Sequence, residues 1–358
     1  MNDNKKNPIV SKIGRIALRS FIIFFITLVL LFFALYTAMF LIVHGPSPTV
    51  GKLFILSLKE TSAGGFLAHW VMSDEEIEAL LAEKATEEVE EINTALIKLP
   101  EKNDGEDFTE VTDPAHENTD ENEKENEILR GIEVHDVSGG TYNGKMIVVK
   151  DPKRVFVGVP DRYGEDAKGL SLSAMIEKYD AIGGTNAGGF IDPNGTGTGG
   201  IPEGIVIERG KLLWGELNSS YSLAGLDGDG ILYVGKMTGA RAMELGLQYA
   251  VSYGPSLIIN GEPCNAERSL GGGINPRTAI GQRADGAILL LVVNGRQIDS
   301  LGATLDDLVE VMLSFGAINA SNLDGGSSSL MKLDGEYLNT SSYILGGERV
   351  LASTILIH

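Results

Sequence analysis

An uncharged apolar segment near the N-terminus limits how this chain can fold more than any other feature. Phe21 to Val43 contains 23 residues without a charge. As a helix it would be about 34 Å long, which is enough to cross the hydrocarbon core of a bilayer. Basic residues precede it and indicate a cytoplasmic N-terminus, with everything after the segment outside the cell. These residues are Lys5, Lys6, Lys12, Arg15 and Arg19.

A cleaved signal peptide is the alternative to a permanent anchor. The apolar region of a signal peptide is about 7–15 residues long and ends at a cleavage site of small residues. This segment is longer, and Leu41 to Gly45 offers no Ala-x-Ala pattern. We therefore predict an uncleaved signal-anchor, with a basic cytoplasmic tail over residues 1–20 and a single transmembrane helix over residues 21–43 in the cell membrane.

The net charge of −20 is concentrated in one part of the chain. Residues 74–130 hold 21 acidic and five basic residues, and the remainder is close to neutral. Pro100 to Glu127 is polar and nearly free of aromatic residues, which is typical of a disordered spacer. Residues 44–130 are therefore predicted to form a juxtamembrane helix and an acidic linker that holds the next domain away from the membrane. No basic patch favours nucleic acid as a partner.

Residues 131–358 mix short β-rich runs, Gly-rich turns and helical patterns without strict alternation. This pattern predicts an α+β domain with a mixed sheet and interspersed helices, preceded by the one transmembrane helix. The capping pattern of Ser73 and Glu76 predicts a helix from Asp74 to Glu91 in the linker. Further helices are predicted after Ser171, over Thr238–Ala250 and over Leu305–Phe315, the last with Thr304 as its N-cap and Asp307 at its N3 position. The predicted strands are Met146–Lys150, Val155–Val159, Gly204–Ile207, Ile231–Val234, Leu257–Ile259 and Ala287–Val293, with a short strand that ends at Leu323.

A loop near the C-terminus carries the residues best suited to chemistry. Residues 319–331 read Asn-Ala-Ser-Asn-Leu-Asp-Gly-Gly-Ser-Ser-Ser-Leu-Met. Glycines permit close approach of the backbone to a ligand, and successive N–H groups in such a turn can form an anion-binding nest. Asp324 stands at the edge of this turn as a carboxylate with no adjacent counter-charge. The combination suggests a phosphate held beside a catalytic acid.

Two other motifs each admit two interpretations. Small residues around Thr185 and Asn186 leave both side chains free to face a ligand, although an Asn among glycines is more often a turn residue. Arg277 lies in a loop that Pro276 and Gly281 restrict. It is either a surface charge or a guanidinium fixed for bidentate contact with a phosphate.

Two Gly-containing sequences are more simply explained as hairpin turns. Asn294-Gly295 is a strong hairpin signal, which leaves the role of the following Arg296 open. Asp227 to Gly230 resembles the start of a calcium loop but lacks its closing Glu. None of the five histidines lies between His135 and His358, so neither histidine catalysis nor a metal site is predicted. The single cysteine, Cys264, excludes an intrachain disulfide.

The order of these motifs resembles the phosphodiester glycosidase family. Asn186 to Phe190 is similar to its Asn-Gly-Gly-Phe element, although Ala187 stands where a Gly is frequent. Arg277, Thr278 and Gly281 match its Arg-Thr-x-x-Gly element, and Asn322 to Ser327 match its Asn-Leu-Asp-Gly-Gly-Ser element. The resemblance covers about residues 131–358.

The resemblance implies an extracellular hydrolase, without cofactor or metal, that cuts the glycosidic C–O bond of a sugar 1-phosphodiester in an envelope or exopolysaccharide-type glycan. Phosphate is a good leaving group, so the lack of histidine is no handicap. The implied catalytic residues are Asp324, Arg277 and Asn186, with Asp324 acting at the anomeric carbon as nucleophile, base or electrostatic stabiliser. The implied substrate-binding residues are Thr185, Thr278, Asn322, Gly325, Gly326, Ser327, Ser328 and Arg296.

Two questions remain open at this point. Glycosidases usually employ two carboxylates, and the candidates for the second are Glu203 and Asp192, whereas Asp285 is better explained as structural. The alternative function is a non-catalytic surface protein that uses the same cleft to bind or assemble phosphate-containing envelope polysaccharide. A metal-dependent phosphodiesterase is disfavoured because no His/Asp cluster has the spacing of metal ligands.

Overall fold

The computed structural model describes residues 8–61, 64–82, 91–99, 131–193, 197–265, 271–343 and 346–358. Helices and antiparallel sheets alternate irregularly along these residues, and the predicted α+β class is confirmed. The α-helices are α1 Pro8–Val43, α2 Pro48–Lys59, α3 Asp74–Ala82, α4 Leu172–Tyr179, α5 Gly239–Glu244 and α6 Leu305–Ser314. Short 3₁₀ segments lie at Gly65–Trp70, Thr94–Leu96, Pro152–Arg154 and Gly326–Ser328.

The strands of the described residues form three antiparallel sheets. They are β1 Ile132–Ser138, β2 Asn143–Val149, β3 Val155–Gly158, β4 Gly183–Asn186, β5 Val206–Glu208, β6 Lys211–Trp214, β7 Ser220–Leu226, β8 Leu232–Thr238, β9 Tyr249–Ser252, β10 Ser256–Ile259, β11 Glu262–Pro263, β12 Arg277–Arg283, β13 Ile288–Val293, β14 Ala317–Leu323, β15 Met331–Leu333, β16 Glu336–Tyr337 and β17 Thr354–Ile357. The sheet orders are β1-β2-β13-β12-β14-β10-β11, β16-β15-β4-β17-β3 and β6-β5-β9-β7-β8.

The apolar run of β13 shows how the layers are built. Side chains alternate across a strand, so Leu290 and Val292 face a core shared by all three sheets, whereas Leu289 and Leu291 face the opposite side. Helix α6 covers that opposite side. A strand buried on both faces has no polar positions, which explains why the sequence is apolar throughout β13.

The N-terminal helix α1 has the length and composition of a membrane span over Arg15–Val43, and all side chains of that span except Met39 and Val43 are exposed. It suggests a membrane anchor or signal; the sequence prediction of an uncleaved anchor over residues 21–43 stays a prediction. A small apolar cluster forms where α1 ends and includes Met39, Val43 and Ile55. Gly51 of α2 permits this contact, because a Cβ at Gly51 would lie 2.6 Å from the Val43 carbonyl oxygen.

The capping residues predicted the ends of the helices more accurately than the apolar periodicity did. The capping boxes at Ser73 and Thr304 are confirmed. The prediction of a helix to Glu91 is wrong, because Glu91 is not helical and its carbonyl accepts a hydrogen bond from Asn260 Nδ2. The helix predicted over Thr238–Ala250 is also shorter than expected. Gly246 has a φ of +71° that ends the helical segment, and the following residues enter β9.

Of the two predicted hairpin turns, one is confirmed and the other is wrong. Asp227 to Gly230 connects the hairpin of β7 and β8, as predicted. The hairpin prediction at Asn294-Gly295 is wrong, because β13 pairs with β12 and β2 and the chain then enters a loop toward α6. Gly295 lies against Pro276 there, where a Cβ would lie 2.6 Å from the proline nitrogen.

The linker before the domain is partly docked on it. The backbone N–H of Asn93 donates to Asn260 Oδ1 over 2.7 Å, and Lys98 N–H donates to the Ala284 carbonyl over 2.7 Å. Residues 91–99 therefore lie along the domain rather than apart from it. The predicted disordered spacer, Pro100–Glu127, lies outside the described residues.

A buried glutamine joins two of the sheets. Gln282 of β12 accepts from Leu232 N–H and donates to the Gly230 and Gly286 carbonyls, at 2.7, 2.7 and 3.0 Å. We expect Gln282→Leu to lower the free energy of unfolding by about 2–4 kcal/mol, because it leaves these buried groups unpaired. Urea unfolding measures this loss, and Gln297→Leu, at an exposed hydrogen bond, is the control. A change below about 0.5 kcal/mol in Gln282→Leu would contradict it.

Candidate active site

Three strand ends from two sheets meet beside Asp324. Strand β12 begins where β14 ends, because Thr278 pairs with Leu323 in the antiparallel register. Strand β4 of the second sheet reaches the same place, where Asp324 N–H donates to the Ala187 carbonyl over 2.9 Å. Three of the motifs that the sequence singled out, those of Asn186, Arg277 and Asp324, are brought together here by this geometry.

Asn186 connects these strand ends. It is the last residue of β4, fully buried, and not the turn residue that its Gly-rich surroundings favoured. Its Nδ2 donates to the Asp324 carbonyl, and its Oδ1 accepts from Thr278 Oγ1 at 2.8 Å and from Leu330 N–H at 3.2 Å. Asn186 therefore positions the Asp324 backbone, and its amide oxygen is already occupied.

The two predicted threonines lie behind this contact. Thr185 and Thr278 are both fully buried. Thr185 Oγ1 donates to the Leu330 carbonyl over 2.8 Å, and Thr278 Oγ1 also lies 3.2 Å from Ser329 Oγ. In this structure they support the Asp324 loop from inside and do not line an opening to solvent.

Several backbone N–H groups of the loop after Asp324 already donate hydrogen bonds within the protein. Gly326 has a φ of +60°, and its N–H donates to the Pro276 carbonyl over 2.8 Å. The N–H groups of Ser328 and Ser329 donate to the Gly325 and Gly326 carbonyls. Because these donors are occupied, an anion at this loop would be held chiefly by side chains rather than by a backbone nest.

The Asp324 carboxyl is electrostatically unusual. Burial raises its pKa to about 6, although the Ser328 hydroxyl, the charge of Arg349 and the Gly325 N–H act in the opposite direction. The negative charge of Glu203 adds to the rise. A carboxyl with a pKa near the working pH, held against a rigid loop, is typical of an acid–base or nucleophilic residue.

Glu203 is an exposed residue whose charge acts on Asp324. An added Cβ at Gly189 would lie 2.8 Å from Glu203 Oε2 and 2.8 Å from Cδ2 of the Tyr253 ring, so Gly189 permits both side chains to approach. Burial raises the pKa of the Tyr253 phenol, and the negative charges of Asp324, Glu60 and Glu203 contribute to this rise. Glu203 therefore fits a second carboxylate better than Asp192, which pairs with Arg349.

Arg349 is the cation that the sequence did not single out. It is buried, pairs with Asp192, and donates from Nη1 to Ser327 Oγ over 3.0 Å. Its guanidinium carbon lies 4.7 Å from the centre of the Phe190 ring. Arg349 does not belong to a recognisable sequence motif. The one sequence signal related to it is Phe190, the last residue of the Asn-Gly-Gly-Phe-like element, because its ring contacts the guanidinium. Asp324 has no counter-charge beside it in the sequence, but the charge of Arg349 acts on it in the folded protein.

The other two arginines also lie close to this loop. Arg277 is buried and forms an ion pair with Glu60 at 2.8 Å, and its Cδ would lie 3.9 Å from a Cβ at Gly325. Arg296 Nη2 would lie 3.3 Å from a Cβ at Gly326. Burial lowers the pKa of Arg296, and the neighbouring positive charge of Arg277 adds to this effect. Clustered guanidinium groups with overlapping fields form an anion site.

Asn322 carries an acceptor that no described residue satisfies. Its Nδ2 donates to the Gly254 carbonyl over 2.7 Å, whereas its buried Oδ1 has no hydrogen-bond partner within the described part of the chain. A buried acceptor without a donor is costly, so a water molecule or a ligand hydroxyl is needed there.

Other parts of the molecule fit a catalytic site less well. A cavity of about 300 Å³ is lined by Pro152, Arg209, Asp227 and Tyr249 among others, and contains none of the predicted site residues. Across the described ranges no group of three or more His, Cys, Asp or Glu side chains is placed to hold a metal ion. We therefore place the candidate active site at Asp324 and its three arginines.

The chain shares its fold with a solved glycosidase. It superposes on the zebrafish N-acetylglucosamine-1-phosphodiester alpha-N-acetylglucosaminidase catalytic domain, described as auto-inhibited by its pro-peptide, with a TM-score of 0.53 and 23% identity. The superposition covers 63% of this chain and 82% of that one. At this identity the likeness concerns the fold alone.

Sequence comparison identifies the family. A prophage-derived uncharacterized protein of Bacillus subtilis (strain 168), YomE, is 32% identical over 184 residues, which are 47% of this chain and 27% of that protein. This chain thus spans about a quarter of the length of the curated relative that it matches. The phosphodiester glycosidase family model matches residues 179–358, which include every predicted site residue. The chain belongs to the phosphodiester glycosidase family.

Proposed function

We propose that this protein hydrolyses a sugar 1-phosphodiester by cutting the glycosidic C–O bond, and that its substrate is a phosphate-linked glycan of the cell envelope or an exopolysaccharide. One observation carries the proposal. The Asp324 carboxyl, with a pKa of about 6, adjoins a loop that the side chains of Arg349, Arg277 and Arg296 approach.

This arrangement suits the departure of a phosphate from an anomeric carbon. The bond between C1 and the bridging oxygen breaks, the phosphate monoester leaves with the electron pair, and water supplies the new hydroxyl at C1. Fixed guanidinium groups stabilise the charge that develops on the leaving phosphate. Asp324 acts at C1 as nucleophile, base or electrostatic stabiliser of an oxocarbenium-like centre, and Glu203 is placed to serve as the second carboxylate.

The remaining predicted residues divide into two roles. Asn186, Thr185 and Thr278 position Asp324 and its loop from the buried side. Asn322 Oδ1 is available to accept from a sugar hydroxyl, and Ser327 and Ser328 flank the phosphate position. In this proposal the loop glycines allow the arginines to approach, rather than binding phosphate through their N–H groups.

The length of the apolar helix and the basic residues before it support a site of action outside the cytoplasm. We propose that α1 is an uncleaved anchor with residues 1–20 inside, because the basic residues before it are retained on the cytoplasmic side. Residues 131–358 then form the catalytic domain on the outer surface, where phosphate-linked glycans are accessible.

The test is the fate of isotopic oxygen in a panel of glycosyl 1-phosphodiesters. In water enriched in ¹⁸O, we expect the label to appear in the released sugar and not in the phosphate monoester, as mass spectrometry can measure. Label in the phosphate would indicate P–O cleavage and contradict the proposal. Binding of the panel without release of sugar would favour the non-catalytic polysaccharide-binding protein instead. The reaction is expected to continue in the presence of a chelator.

A further inference from the structure

The membrane-proximal helix α2 lies directly on the candidate active site. Ile274 N–H donates to Ser57 Oγ over 2.8 Å, and Gly273 N–H donates to Glu60 Oε1 over 3.2 Å. Ser57 is in the last turn of α2, and Glu60 caps its C-terminal end. The loop that these residues contact leads directly into Arg277 at the start of β12.

The Glu60 carboxylate organises the side chains behind this loop. Its Oε2 accepts from Arg277 Nη2 at 2.8 Å and from Asn275 Nδ2 at 2.7 Å. Asn275 Oδ1 in turn accepts from Arg296 Nη2 at 3.0 Å, and Thr61 Oγ1 accepts from the same nitrogen at 3.2 Å. A single acidic residue of the membrane-proximal segment therefore fixes Arg277 directly and Arg296 through Asn275.

The loop sequence is suited to this docking. A Cβ at Gly273 would lie 2.1 Å from the Ser57 backbone nitrogen, a distance that no side chain could adopt. Gly272 has a φ of +79°, and a Cβ there would lie 2.8 Å from Glu60 Oε1. Two consecutive glycines are thus needed for α2 to reach Arg277, which indicates a built contact rather than an incidental one.

The contact leaves part of Arg277 available. Its Nε donates to the Ala303 carbonyl, and its Nη2 donates to the Gly273 carbonyl as well as to Glu60. Its Nη1 makes no hydrogen bond with the described residues. Because Glu60 pairs with one edge of the guanidinium, the group is held in one orientation while a donor remains for a ligand.

We infer that Glu60 is a positioning residue of the active site, and that α2 of the membrane-proximal segment forms part of the catalytic unit instead of serving only as a tether. The inference rests on the proposed function and adds a segment that lies outside the matched domain. It predicts that the arginines bind a substrate phosphate correctly only while the carboxylate of Glu60 holds them.

The opposite role of Glu60 gives the opposite result. The Glu60 carboxylate contacts Arg277 and also Asn275, which contacts Arg296. It could instead occupy the place of the substrate phosphate and compete with it. In that case removing Glu60 would strengthen anion binding and raise activity. If Glu60 positions the arginines, its removal weakens anion binding and lowers activity, because a small displacement of a binding group can cost about 100-fold in rate.

The experiment uses the full chain in detergent micelles and a soluble glycosyl 1-phosphodiester. We expect Glu60→Ala to lower kcat/KM by about 10- to 100-fold. Glu60→Gln should recover part of this loss, because an amide oxygen can still accept from Asn275. Glu75→Ala removes an exposed acidic residue from α3 that forms no contact with the site, and this variant should leave kcat/KM unchanged. In an Arg277→Ala background, Glu60→Ala should cost clearly less than in the native chain, because only its effect on Arg296 through Asn275 remains.

A second measurement separates failure of this inference from failure of the proposed function. Calorimetric titration with inorganic phosphate requires no turnover, and we expect the dissociation constant of Glu60→Ala to rise about tenfold over that of the native chain. If Glu60→Ala binds phosphate more weakly than the native chain, but the native chain hydrolyses no substrate, the positioning role is upheld and the proposed reaction is rejected. Tighter phosphate binding, a higher kcat/KM, or an unchanged dissociation constant in Glu60→Ala would overturn the inference. Additive losses in the double variant would overturn it as well.

Discussion

Asp324→Asn is expected to lower kcat for a glycosyl 1-phosphodiester by at least about 1,000-fold, while the protein becomes more stable. Loss of a nucleophile or general base costs about this much or more. Stability should rise because the carboxylate is buried at neutral pH, and an amide of the same shape carries no charge. Steady-state kinetics and thermal unfolding at pH 7 measure the two effects on the same sample.

The sign of the stability effect follows from the pKa of Asp324. The folded-state pKa of about 6 lies above the ordinary value of 3.8. The folded protein therefore holds the proton more tightly than the unfolded chain, and stability falls as the pH rises from about 4 to about 6. Asp324→Asn should remove this dependence and gain about 1–3 kcal/mol at pH 7. In the native protein, kcat/KM should fall below about pH 6, since the ionised carboxylate is the form that acts at C1.

Asp285→Asn is the matched control for this prediction. Asp285 is an exposed aspartate that pairs with Arg283 in the hairpin between β12 and β13. Its replacement should leave kcat unchanged and alter stability by less than about 1 kcal/mol. Near-normal turnover in Asp324→Asn would exclude Asp324 from the reaction, and a loss of stability in that variant would indicate a purely structural aspartate.

Arg349→Met is expected to have the second largest effect, on stability and activity together. Only 8% of the Arg349 side chain and 12% of the Asp192 side chain are exposed, so removal of the cation leaves a buried carboxylate unpaired. Such a change costs about 3–5 kcal/mol. It also removes a cation from the Ser327 side of the loop, and loss of a preorganised charge at the leaving group costs about 100- to 1,000-fold in kcat.

The double variant separates these two effects. Arg349→Met combined with Asp192→Asn removes the buried charge as well as its partner, so most of the lost stability should return. Activity should not return, because no cation then approaches Ser327. Chemical denaturation and kinetics of both variants measure this difference. Recovery of activity together with stability would mean that Arg349 supports the fold alone. Arg241→Met, at an exposed ion pair, is the control and should cost less than about 1 kcal/mol.

Sequence alone predicted the features that depend on neighbours in the chain. The long apolar helix, the capping boxes at Ser73 and Thr304, and the strand that leads into Asp324 all arise from local patterns of polarity and hydrogen bonding. The loop after Asp324 was also recognisable, because glycines and hydroxyls beside a carboxylate are typical of a ligand-binding turn. Local patterns failed where a distant segment intervened. Glu91 is held by Asn260, and residues 249–252 pair in a sheet instead of continuing a helix.

Only the tertiary structure decided which side chains face the site and what they are bonded to. Arg277 and Arg349 belong to segments 72 residues apart, and Glu60 precedes Arg277 by 217 positions. No periodicity links such residues, because the contacts between them are set by sheet order and by glycines that permit close approach. Likewise, Asn186 could not be assigned from its motif. Its role as a buried connection between β4, β12 and the Asp324 loop exists only once two sheets are packed together.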